Sequence, residues 1–184
     1  NGKDVEIMNF NMAAQVDLEI RNIAVIFNNG GSGTADFNDG TTTNYTDLKI
    51  WDTSNNTVVW GPQDLSGTAS DTSQTLTFTE DITLSAGTAK TYKLTLDVAN
   101  TSDITDGEKI AATIDVSAFS NQVKNMANNT YLATTDIVPG SDLSGNQMTV
   151  RIPALSVSLA TTPTSQTYIK GTTDKTFVGF NLTA

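Results

Sequence analysis

Apolar and polar side chains alternate along most of this chain. Met8, Phe10 and Met12 share one parity, and Val16, Leu18 and Ile20 continue it. The parity flips at Arg21-Asn22, after which Ile23, Val25 and Phe27 carry on. Tyr92, Leu94, Leu96 and Val98 alternate with Lys93, Thr95 and Asp97, and Ile110, Ala112, Ile114 and Val116 repeat the scheme. A period of two belongs to strands with one buried face. A flip within a run predicts a β-bulge or a crossing from one sheet to another. Leu76 with Phe78, then Ile82 with Leu84, predict two short strands. Val150 and Ile152 lead through Pro153 to Leu155, Val157 and Leu159 in flipped parity. Proline cannot donate to a ladder, so Pro153 marks a second bulge or sheet switch.

Turn residues separate these runs. Asp52-Thr53-Ser54-Asn55-Asn56 lies between Leu48-Lys49-Ile50-Trp51 and Val58-Val59-Trp60, which predicts a hairpin. Ser85-Ala86-Gly87-Thr88 and Thr105-Asp106-Gly107 each precede a strand pattern. Helical patterning is confined to 118–127 and is Asn-rich. The expectation is an all-β fold, an antiparallel β-sandwich of about nine strands. Two polar loops, over 28–44 and 121–146, interrupt it. Residues 160–174 read as a linker, and the strand pattern restarts at Thr176. The expected division is a sandwich module over 1–170 and a surplus linking strand over 171–184.

That last strand reads like the first. At a constant offset of 170, Asp4 matches Asp174, Phe10 matches Phe180, Asn11 matches Asn181 and Ala14 matches Ala184. Apolar Ile7, Met8 and Met12 match Phe177, Val178 and Leu182. Self-similarity at fixed spacing is the signature of a repeat array. Two copies of one strand cannot fill one slot in one domain. Phe177, Val178, Phe180 and Leu182 are therefore the expected assembly strand, with Ile7, Met8, Phe10 and Met12 as its N-terminal counterpart. An apolar edge strand left bare invites aggregation, and its productive use is addition to a neighbouring sheet.

Composition narrows the chemistry. The 184 residues include no cysteine and no histidine, which removes disulfides, thiolate nucleophiles, conventional triads and the usual zinc ligands. The net charge is −10 with 16% charged residues, so the polar bulk is neutral Thr, Ser, Asn and Gly. A pI near 4.1 argues against a nucleic-acid partner and against anionic lipid. No apolar run is long enough to span a membrane as a helix, and with no leader pattern the chain reads as mature or excerpted. Glu80 with Asp81, or Asp97 with Asp115, are the carboxylate pairs open to glycoside hydrolysis, but turn and outward strand positions ordinarily hold solvated acids. The expectation is not an enzyme, and no cofactor is required.

Asp36, Asn38 and Asp39 gather hard oxygens beside Gly40, a candidate calcium loop, although Gly40 sits one place short of the EF-hand register. Asn44, Asn55, Asn100 and Asn128 head Asn-x-Ser/Thr glycosylation sequons, as does Asn181 within the assembly strand. Trp51 and Trp60 flank the hairpin, where they read either as a cross-strand pair or as a platform for sugar. Lys49 and Lys109 are the lysines whose strand context suits an isopeptide staple.

Two stretches carry a resemblance. Leu48-Lys49-Ile50-Trp51-Asp52 with the run from Leu84 to Val98 is one; the joint from Leu155 through Pro163 and Lys170-Gly171 to Ala184 is the other. Together they resemble Ig-like repeat modules of bacterial S-layer-like and fibre-forming surface proteins, notably of candidate-phyla type. Pilins that join by donor strands are an architectural alternative. The resemblance implies an Ig-like sandwich (a jelly roll is the other sandwich topology), an extracellular, cell-surface location, and copies of itself as partners. The implied function is a structural subunit of a filament or surface layer, assembling head to tail through its terminal strand. The alternative is an adhesin module that binds carbohydrate or surface glycans.

Overall fold

The structure, a computed structural model, describes residues 2–30, 37, 43–66, 73–101, 104–152 and 155–183. The chain divides into two compact units, residues 1–151 and 152–184. Among the described residues the first unit runs, in chain order, through β1 (Gly2–Ala13), β2 (Leu18–Ile20), β3 (Ile23–Asn29), β4 (Tyr45–Asp52), β5 (Thr57–Gln63), β6 (Ser73–Phe78) and β7 (Ile82–Leu84). It continues with β8 (Ala89–Val98), β9 (Lys109–Ile114), β10 (Val123–Asn125), β11 (Thr130–Tyr131), β12 (Leu143–Ser144) and β13 (Met148–Thr149). The second unit holds β14 (Ser156–Leu159) and β15 (Phe180–Thr183). The fold is all-β and sandwich-like, as the alternating pattern predicts.

One sheet has the order β1-β8-β4-β5, with every neighbour antiparallel. Facing it are two sheets that run on from each other, β11-β10-β2-β7 and β12-β9-β3-β6, with β13 also on β9. The parity flip at Arg21-Asn22 is where the chain leaves the first of these for the second. Ile20 opposes Ile82 and Ile23 opposes Phe78, so three steps on one strand meet four on its partner. One surplus residue of this kind bends and re-aims a ladder.

The inward residues form one core. Phe10, Tyr92, Trp60, Phe27 and Phe78 are buried with Ile23, Val25, Leu48, Ile50, Leu94 and Leu96. Phe10 stacks on Tyr92 with centroids 5.5 Å apart, and Trp60 packs on the same ring at 5.9 Å. The predicted hairpin is β4–β5, and its turn is tied down by Asp52, whose carboxylate accepts from the Ser54 N–H (2.9 Å) and Oγ–H (2.6 Å). In place of the helical patch, a 3-10 turn spans Val116–Phe119, capped by Asp115.

Three expectations are corrected. Among the described residues there are fifteen strands rather than about nine, and three of them, β10, β11 and β12, lie in the loop over 121–146. The division falls after Arg151 rather than near Gly171. The run through Val157 and Leu159 does not complete the sandwich; it pairs with the terminal strand, which forms only from Phe180. Twenty intervening residues close that hairpin, and short closures cost less chain entropy than distant ones. Pro153 lies outside the described residues.

Candidate assembly surface

In the second unit, Leu159 opposes Phe180, Ser158 opposes Asn181, Val157 opposes Leu182 and Ser156 opposes Thr183. Alternation puts Val157, Leu159, Phe180 and Leu182 on one face. All four are exposed, Leu159 by 79% and Val157 by 62%. Phe177 and Val178 precede the strand and are exposed as well, Phe177 by 83%. The intervening chain folds on itself: Tyr168 packs on Phe177 at 5.9 Å and its hydroxyl donates to the Thr176 carbonyl at 3.2 Å.

The N-terminal copy has the opposite environment. Ile7, Met8 and Phe10 are buried, and Met12 packs against the core half-buried. Met8 is covered by the chain at Gly145, where an added Cβ would sit 3.2 Å from the Met8 Cγ. β1 ends its sheet, so among the described residues its outer edge carries no strand. Beside residues 11–13 lies a cavity of about 180 Å³ walled by Met12, Leu143, Ile137, Val138 and Pro139 and by no residue of β8. Val138 on its rim is 89% exposed.

No protein-family model, curated protein or solved structure matches the chain.

The other predicted site residues are not brought together. Asp36, Asn38 and Asp39, the candidate calcium ligands, lie outside the described residues; Phe37 between them is buried against Tyr45, centroids 6.2 Å apart. Trp51 and Trp60 point to opposite faces of their hairpin, since Ile50 opposes Trp60 and Trp51 opposes Val58. They make neither a cross-strand pair nor a platform. Trp60 is buried and donates Nε1–H to the Glu80 carbonyl (2.6 Å). Trp51 donates to Thr95 Oγ1 (2.8 Å) under the ammonium groups of Lys49 and Lys93. Among the sequons, Asn44 is fully buried and its Oδ1 accepts from Thr101 (2.7 Å), so the folded chain closes it to a glycan. Asn55, Asn100, Asn128 and Asn181 are exposed.

Three of the four acids weighed for hydrolysis have a structural contact. Glu80 Oε1 accepts from the Gly61 N–H, Asp97 from the Asp4 N–H (2.7 Å), and Asp115 from Ser117 and Ala118. Long-range pairing also builds a carboxylate group that strand periodicity could not reveal: Asp4, Asp47 and Asp97 gather within 4.8 Å. Lys49 lies among them, 2.5 Å from Asp47 and 3.0 Å from Asp4, and those hydrogen bonds raise its pKa. Lys49 therefore faces carboxylates rather than the asparagine that a staple would need.

Proposed function

We propose that this chain is a structural module of an extracellular filament or surface layer, joined head to tail through the unit after Arg151. One observation carries the reading: the same strand pattern occurs twice, buried in a sandwich as β1 and exposed on a small hairpin as β15. An exposed apolar strand whose twin is a core strand has a ready use as a joint, because its side chains already suit a sheet of this kind. An acidic, Thr- and Asn-rich composition without cysteine or histidine supports a place outside the cell, and copies of the chain are the partners. The adhesin alternative draws no support from the tryptophans, one buried and one covered by lysines. No catalytic step is assigned.

Negative-stain electron microscopy of the purified chain tests the reading. Beaded fibres or a lattice are expected, and a chain ending at Arg151 should leave only monomers. Monodisperse monomers of the full chain at every concentration and salt would overturn it.

A further inference from the structure

We propose that the open edge of β1 receives the β14 strand of a second copy of this chain, which exchanges its own Asn181 for the acceptor's Asn11. This rests on the reading of the chain as a polymer link, and names the strand that crosses and the groove that takes it.

The first argument is equivalence. β14 pairs with Phe180-Asn181-Leu182, and β1 presents Phe10-Asn11-Met12 at the matching positions. Carrying the register across places Leu159 opposite Phe10, Ser158 opposite Asn11 and Val157 opposite Met12. Exchange of like for like between protomers is a low-cost route to association.

The second argument is the direction of the backbone groups, which the sequence match does not dictate. Across the Phe180–Leu159 pair, the Ala160 N–H donates to the Gly179 carbonyl (2.8 Å). That is the pattern around a non-hydrogen-bonded pair, so Asn181 and Ser158 are the pair that exchanges hydrogen bonds. In β8, the Thr91 carbonyl accepts from Thr53, beyond the end of β4 (3.0 Å). Alternation then turns Tyr92 and Lys90 toward β1, where they face Phe10 and Met12. The N–H and C=O of Asn11 therefore point outward. The open edge of β1 thus offers the same groups, at the same position, as the edge of β15 that β14 already uses.

The third argument is the groove. The cavity beside Met12 is lined by Leu143, Ile137 and Val138 together with Leu18 and Ile20 of β2, and by no residue of β8. In the carried-over register Val157 and Leu159 share the inward face of Met12 and Phe10, so they enter this apolar space. On the hairpin the same two side chains face solvent. The ladder bonds are equal in the two states, and the difference is apolar burial in the exchanged one.

The chain has no cysteine, so single cysteines report the contact without background. Full-length Asn11→Cys and Ser158→Cys are mixed in equal amounts under a glutathione redox buffer. Both positions are exposed, and unchanged thermal unfolding of each variant confirms that it folds. Hydrogen-bonded antiparallel partners lie about 5.5 Å apart at Cα, within disulfide reach. The expected result is a heterodimer about tenfold more abundant than from Asn9→Cys mixed with Ser158→Cys, a pair two residues out of register. Equal yields from both mixtures while light scattering shows multimers would overturn the exchange and leave the polymer reading standing. Dominant Asn11→Cys homodimers would also overturn it, because they report β1 edges pairing with each other. Neither cross-links nor multimers would sink both proposals.

Discussion

Single side chains set the sharpest tests. Asp52 is almost fully buried, and its bonds from Ser54 and from the Lys90 ammonium (2.9 Å) hold its pKa down at about 2. A depressed carboxylate pKa adds stability that is whole above the unfolded value of about 4 and is lost as pH falls through the folded one. Asp52→Asn should therefore cost about 1.5–3 kcal/mol near neutral pH, by denaturant unfolding, and the gap from the parent should close between about pH 4 and pH 2. Tyr45 points the other way. Its hydroxyl is buried without a partner among the described residues, and burial pushes its pKa up to about 12. Removing an unpaired buried hydroxyl relieves a desolvation cost. Tyr45→Phe should leave the melting temperature unchanged or raise it; a marked fall would mean that the hydroxyl has a partner. Tyr92 is likewise raised to about 12 by burial, so both rings should weaken the fold as pH climbs from 10 toward 12.

Among the elements, the β4–β5 hairpin depends on one glycine. Gly61 has φ +92°, and a Cβ there would collide with the Leu48 carbonyl at the register shift between Leu48 and Ile50. Gly61→Ala should destabilise the chain by about 1–3 kcal/mol, read from its unfolding midpoint. β1 and β15 carry the more general lesson. Phe10 and Phe180 occupy matching positions in matching patterns, yet one is a core ring on Tyr92 and the other faces solvent. Alternation gives the parity of a strand, which depends only on neighbours along the chain. It says nothing about which sheet will cover that face. The hairpin, the β8 strand and the flip at Arg21 were legible because each is written in adjacent residues. The pairing of β14 with β15 was not, because an alternating run fits several partners and loop closure chose among them.

At the scale of the whole molecule, a net charge of −10 opposes any self-association. If the chain polymerises, assembly followed by light scattering should quicken with added salt, which screens repulsion between exposed carboxylates. A rate that falls with salt would point to ion pairs as the joint instead of apolar strands. By itself the sequence determined an all-β chain with inward and outward faces already sorted, two copies of one strand, and no cysteine or histidine chemistry. Those properties are local, compositional or periodic. Tertiary structure alone decided that the chain divides after Arg151, that β1 ends a sheet beside an apolar groove, and that the tryptophans face apart. It also decided that Asp4, Asp47 and Asp97 gather together and that Lys49 pairs with the first two. Each of these depends on which strands lie side by side, and residues separated by tens of positions become neighbours only through the ladder that joins them.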